Sequence, residues 1–168
     1  MNAISNDGEV IRSVTLSSLT ELLQSRGYRV ERATDAAGVE LLRSATGGLA
    51  FEIRVGSLAL APSDAVLDFS CHAALKVEGT LDAAVPNAWN NSRRYARLHL
   101  HGGFLVLTQD VSVAGGVLPG YVLTQMEIWE RLLQDLPGFL RTEIAQVNAA
   151  GPSAMIASST REDDVAAA

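Results

Sequence analysis

Two histidines two residues apart are the first candidates for chemistry in this chain of 168 residues. His99 and His101 lie in a run that alternates apolar and polar residues, so both imidazoles would point from one strand face toward a shared ion. A zinc site needs three or four ligands, and the facing segment offers no carboxylate or thiolate before Asp110. We therefore predict solvated histidines, no metal and no catalytic residues. A metal-dependent enzyme built on this pair is the last-ranked alternative.

Cys71 and His72 place a possible nucleophile beside a possible base. Adjacent residues of a strand point to opposite faces, so these two side chains cannot pair in a regular strand. We interpret Cys71 as a small core residue. The Gly-Gly dipeptides of the chain lack the longer glycine patterns that hold phosphate, so we predict turns there and no cofactor.

A basic cluster offers a different kind of chemistry. Arg93, Arg94 and Arg97, with Tyr95 among them, combine guanidinium groups and an aromatic ring, which are typical anchors of protein interfaces. We predict that these four residues bind a partner protein. The same patch could instead hold a small ligand or a phosphate backbone in a sensor, or could be a solvated run of charges.

The residues before this cluster have a predicted structural role. Asn87 and Asn90 can use their side-chain amides to satisfy backbone groups at a helix end, and Trp89 is most simply a core residue. We predict that Asn87, Trp89 and Asn90 form a structural clasp that holds a helix to the following strand.

Composition limits the class of protein. A chain with 48% hydrophobic residues can build one sizeable core, so we expect a single domain. Its net charge of −6 argues against broad contact with nucleic acid or an anionic membrane. One cysteine, no signal-like N-terminus and no apolar run of about 20 residues predict a cytoplasmic protein with no membrane span.

Hydrophobic periodicity predicts the element order α-β-β-β-β-α-β-β-α. Thr15 is the expected N-terminal cap of a first helix from Leu16 to Arg26. Gly27 is expected to end this helix with a left-handed backbone conformation. Gly102-Gly103 marks a hairpin, and an apolar stripe at spacings of three and four predicts the last helix. Helices and antiparallel strands without regular alternation indicate an α+β fold, with the helices packed on one face of the sheet.

The second helix and the chain ends are less regular. Thr80 is a possible cap, and Pro86 predicts that this helix is kinked or begins at the proline. Residues 1–13 are expected to be a flexible segment and residues 14–142 a single domain. Residues 143–168 are expected to be a frayed helix end followed by a flexible tail rich in alanine and serine.

The chain from about Thr15 to Leu140 resembles the YbjN family, bacterial proteins labelled as sensory transduction regulators. The segments that carry the resemblance are Thr15-Leu16, Leu22-Leu23, Gly27-Tyr28, Gly47-Gly48 with Phe51, Asn87-x-Trp89-Asn90, Arg93 to Arg97, Asp110-Val111, Gly115 to Val117, and Trp129. The resemblance implies an α+β fold like that of type III secretion chaperones, small acidic proteins that dimerise and bind segments of other proteins. It implies no catalytic residue and no cofactor.

The leading hypothesis is a dimeric, chaperone-like or regulatory protein that binds another protein. The strand from Leu49 to Val55 and the stripe from Val122 to Leu140 are the two candidate dimer seams.

Overall fold

The computed structural model describes residues 8–56 and 65–150 of the chain, so the expected tail beyond residue 150 lies outside the described residues. The element order is the predicted one, and the α+β prediction is confirmed. The helices are α1 (Leu16–Gln24), α2 (Ala84–Ser92) and α3 (Pro119–Ala150). The strands are β1 (Glu31–Thr34), β2 (Glu40–Thr46), β3 (Leu49–Val55), β4 (Asp68–Lys76), β5 (Arg97–His101) and β6 (Phe104–Ser112).

The six strands form one antiparallel sheet in the order β1-β2-β3-β4-β6-β5. Alternate side chains such as Phe69 and Cys71 of β4 point to one face, where they join a core with Leu19 of α1, Trp89 of α2 and Trp129 of α3. Because successive strand residues point to opposite sides, the polar residues between them share the other face. We call this second side the open face, since the three helices pack on the core side.

Local signals set the ends of α1. Thr15 and Ser18 form a reciprocal capping box, in which Thr15 Oγ1 accepts from the Ser18 backbone N–H at 3.0 Å. Gly27 has a φ of 86°, the left-handed value expected there. The helix ends at Gln24, two residues before the predicted end.

The Gly102-Gly103 hairpin is confirmed, with φ values of 56° and 80° that a two-residue primed turn requires. This turn sets Leu98 opposite Leu107 and Leu100 opposite Leu105, as expected. Leu100 nevertheless keeps 42% of its surface exposed, because it lies near the hairpin tip on the outermost strand.

The predicted start of α2 is wrong in two respects. The helix begins at Ala84, so Pro86 falls in its first turn, where a missing N–H breaks no helical hydrogen bond. The side chain that contacts the start of the helix is that of Asp82 and not that of Thr80. Asp82 Oδ1 accepts a hydrogen bond from the N–H of Ala84, the first helical residue, at 2.8 Å.

The two candidate dimer seams are both occupied within the chain. Strand β3 pairs with β2 on one side and β4 on the other. Five side chains of the α3 stripe are fully buried in the core, and the helix continues through Pro137. They are Val122, Met126, Trp129, Leu133 and Leu136.

The N-terminal segment is described from Gly8 onward. Ile11 and Val117 form an antiparallel bridge with backbone hydrogen bonds of 2.8 and 2.9 Å, and Val14 bridges Val66. These bonds place residues 11–14 against the domain, although residues 1–13 were expected to be flexible. Residues 1–7 lie outside the described part of the chain.

Candidate functional site: the connection from α2 to β5 and the open face

A tryptophan and an asparagine on α2 hold the first residues of the outer strand. Trp89 is fully buried, and its indole Nε1–H donates to the Ala96 carbonyl at 3.2 Å. Asn90 reaches Leu98 with both halves of its amide: Nδ2 donates to the Leu98 carbonyl, and Oδ1 accepts from the Leu98 N–H, each at 2.9 Å. The amide thus satisfies both backbone groups of Leu98 as a neighbouring strand would.

This arrangement also protects an edge of the sheet. Strand β5 is outermost, and unpaired backbone groups on an edge strand invite pairing with another chain. At Leu98, the Asn90 side chain forms hydrogen bonds with both of these backbone groups. Asn87, predicted to share this role, is exposed and its side chain makes no hydrogen bond with any described residue. The clasp therefore consists of Trp89 and Asn90.

The four predicted binding residues differ in their contacts within the chain. The guanidinium carbon of Arg93 lies 5.5 Å from the centre of the Trp89 ring and 5.8 Å from that of Phe139. Its Nε is 3.9 Å from the Asp135 carboxylate. Arg93 is only partly exposed and packs on the two aromatic rings, a contact that anchors it to the core.

Arg97 is also paired within the chain. Its Nη2 donates to Asp110 Oδ2 at 2.6 Å across the β5–β6 ladder, and both side chains are exposed. An exposed pair of this kind contributes little to stability, about 0–1 kcal/mol, but it does neutralise the charge of Arg97 locally.

Arg94 and Tyr95 are the two residues that remain available. Both are exposed, Tyr95 at 62%, and the Arg94 guanidinium lies 5.9 Å from the centre of the Tyr95 ring. Arg94 makes no ion pair with a described residue. Tyr95 has a φ of 75°, and among the described residues no other non-glycine residue has a positive φ. A left-handed backbone costs a residue with a Cβ roughly 1–2 kcal/mol.

His99 and His101 project from the open face, where they lie opposite Val106 and Phe104. Both imidazoles are exposed. Within the described ranges, no three side chains of metal-ligating type come close enough together to hold an ion.

A row of polar residues across the open face was not predicted from the sequence. The strand register aligns Glu52, His72, Thr108 and Arg97 on four neighbouring strands. Ser70 Oγ is 2.7 Å from His72 Nε2, and Thr108 Oγ1 is 3.4 Å from Nδ1. The regular alternation of polar residues in β3, β4 and β6 was the signal that could have located this row.

The environment favours neutral His72. Burial lowers the pKa of its imidazole, and the charges of Arg54 and His99 act in the same direction, while Asp110 and Glu52 oppose them. Arg54 is itself held between Asp35 at 2.7 Å and Glu52 at 2.8 Å. The hydrogen bond from Arg54 is the largest cause that lowers the pKa of Asp35.

The Ser70–His72 pair resembles part of a hydrolytic triad, but its surroundings differ from one. A triad orients the imidazole with a carboxylate on the second ring nitrogen, whereas Nδ1 here meets a threonine hydroxyl. Cys71 lies on the core side, where burial raises the pKa of its thiol and Sγ contacts Met126 Sδ at 3.8 Å. The core interpretation of Cys71 is confirmed.

The family model of YbjN, described as "Putative bacterial sensory transduction regulator", matches residues 15–136, which is most of the chain. The chain belongs to the YbjN family. A solved structure described as "YbjN, a putative transcription regulator from E. coli" is similar with 18% sequence identity and a TM-score of 0.52, over 74% of this chain and 93% of that one. At this identity the likeness shows a shared fold.

No sequence among curated proteins matches the chain significantly. None of the described helices has the length and apolar character needed to cross a membrane. The Asn-x-Trp-Asn element that carried the YbjN resemblance now has a structural explanation. Its Trp89 and Asn90 hold β5, and the arginine that follows packs on the same tryptophan.

Proposed function

We propose that this YbjN-family chain is a non-enzymatic, cytoplasmic regulator that acts as a dimer and binds another protein through Arg94 and Tyr95. The observation that carries the proposal is the exposed, left-handed Tyr95. The family description supports a regulatory role in general terms. The contact residues, the dimer and the protein partner are the parts that we propose.

The backbone strain at Tyr95 supports a role outside the monomer. Glycine would adopt a φ of 75° without steric cost, yet the position holds a bulky aromatic residue. Burial does not offset that cost, because 62% of the residue surface is exposed. Strained residues of this kind occur most often at sites of function, and we infer that the ring is oriented for a partner.

The neighbouring arginines support a small contact centre. Arg93 packs on Trp89 at the start of the connection, and the clasp together with the β5–β6 ladder holds its end. Arg94 and Tyr95 therefore project from a connection that is anchored on both sides. Arginine and tyrosine are enriched among the residues that dominate binding energy, because they combine a large contact area with hydrogen-bonding groups.

Site-specific photocrosslinking in living cells tests this proposal. A photoreactive phenylalanine replaces Tyr95 in one strain and Tyr121 in another, since Tyr121 is also an exposed tyrosine, at 41%, on α3. We expect position 95 to give a discrete covalent adduct that Arg94→Glu in the same chain removes. We expect position 121 to lack that adduct.

The mass of the adduct identifies the occupant. An adduct of twice the chain mass means that Tyr95 lies at a contact between copies, and any other discrete mass means a different protein. If the two positions gave the same adducts, or position 95 gave none, Tyr95 would not be a contact residue. Sedimentation of the purified chain tests the dimer separately.

A further inference from the structure

A polar groove of about 640 Å³ lies on the helical side of the protein, away from Arg94 and Tyr95. One wall is the turn from Arg26 to Arg29, which joins α1 to β1, and the other is the first half of α3, including Glu127 and Glu130. Its volume falls within the range of about 300–1,000 Å³ that small-molecule sites occupy.

The charges of the two walls are opposite and are not paired with each other. Arg26 and Arg29 make no ion pair with any described residue, and neither do Glu127 and Glu130. Elsewhere in the described chain, facing charges do pair, as Arg54 does with Asp35. The groove thus presents two unpaired cations and two unpaired anions to whatever enters it.

Tyr28 belongs to the turn that forms the first wall, and its hydroxyl is influenced by the glutamates of the other wall. Partial burial, followed by the charges of Glu130 and Glu127, raises the pKa of the Tyr28 hydroxyl to about 12. Partial burial and Glu127 also raise the pKa of Glu130. Burial is the largest cause of both shifts, and the added effect of the glutamate charges marks their wall as the place where a ligand cation would be favoured.

We propose that this groove binds a small zwitterion of the amino-acid or short-peptide class. The ligand's amino group lies at Glu127 and Glu130, and its carboxylate lies at Arg26 and Arg29. The face of the Tyr28 ring is the part that can attract the ligand cation. A ligand with only one kind of charge would leave one wall unpaired, so both charges are needed for full affinity.

Heteronuclear NMR of the full chain tests the proposal with four defined probes. Triglycine and glycine supply both charges, methylammonium supplies the cation alone, and acetate supplies the anion alone. We expect saturable shifts of the amides of residues 26–29 and 123–130 with triglycine, glycine or both, and weaker binding of the single-charge probes. Which of the two zwitterions binds more tightly distinguishes a peptide ligand from a free amino acid.

Matched variants assign the shifts to the groove. Glu127→Gln with Glu130→Gln should weaken binding by about tenfold or more, because each carboxylate forms a charge-assisted hydrogen bond. Arg26→Gln with Arg29→Gln should weaken it similarly. Glu21→Gln with Glu143→Gln removes the same charge from positions outside the groove lining and should leave affinity unchanged.

Three results would overturn the proposal. They are no saturable shift with either zwitterion, equal affinity for methylammonium and the better zwitterion, and unchanged affinity in both groove variants. All substituted side chains are exposed or partly exposed, so a folding defect is not expected, and the dispersion of the NMR spectrum checks this directly.

Discussion

Replacing Asn90 with alanine tests the clasp, and Asn87 supplies an internal control. Both asparagines lie inside α2, and both are exposed as whole residues. Only Asn90 bonds the outer strand, through the two 2.9 Å contacts to Leu98. The same substitution at two positions of one helix therefore separates the hydrogen bonds from every effect common to asparagine and alanine.

The expected magnitude follows from this pairing. Each hydrogen bond contributes about 0.5–1.5 kcal/mol, and water can reach this edge of the sheet, so the two bonds together should contribute about 1–2 kcal/mol. Alanine favours helix over asparagine by roughly 0.5 kcal/mol, which should stabilise both variants equally. This gain cancels in the comparison. Asn90→Ala should thus be about 1–2 kcal/mol less stable than Asn87→Ala.

Urea unfolding followed by circular dichroism measures the difference. Both variants should unfold with the slope of the original chain, so the gap should appear in the midpoints alone. Equal midpoints for the two variants would refute the clasp. They would mean that the hydrogen bonds from Asn90 to Leu98 stabilise the fold no more than hydrogen bonds from the same groups to water. A changed slope in Asn90→Ala would instead indicate that β5 detaches before the rest of the sheet.

Three further predictions concern single residues. Tyr95→Gly should be more stable than Tyr95→Ala by about 1 kcal/mol in thermal or urea unfolding, because only glycine adopts a positive φ without strain; the reverse order would contradict strain there. Since folding lowers the pKa of His72, the free energy of unfolding should fall as the pH drops below about 6.5. The His72→Gln variant should lose less stability between pH 7 and 5. An unchanged dependence of stability on pH in this variant would exclude His72 as the cause. The raised pKa of Tyr28 predicts stability that is lost as pH rises from about 10 to about 12, so Tyr28→Phe should resist alkaline unfolding better than Tyr121→Phe.

Features that depend on neighbours in sequence were predictable. The Thr15–Ser18 capping box, the left-handed Gly27 and the Gly102-Gly103 turn each involve contacts over four residues or fewer. The register of β5 against β6 followed from that turn alone, because a two-residue loop fixes the opposing residues. The start of α2 was missed because a proline in the first helical turn leaves the same sequence signal as a proline that begins a helix.

Contacts between distant segments were decided by the tertiary structure. The three arginines from 93 to 97 are chemically alike in sequence, but the fold brings Trp89, Phe139 and Asp135 to Arg93 and brings Asp110 to Arg97. Arg94 alone of the three has no acidic partner among the described residues. The polar row through His72 likewise joins strands that are far apart in the chain.

The sequence by itself determined the elements, their order and which side of each strand is apolar, because hydrophobic period and turn chemistry are local properties. It also contained the Asn-x-Trp-Asn element, one of the segments that carried the resemblance to the family. Only the tertiary structure decided which polar groups are already paired and which are left for a partner or ligand. Pairing depends on a few ångströms between residues far apart in the chain, and that distance has no signature in a single sequence.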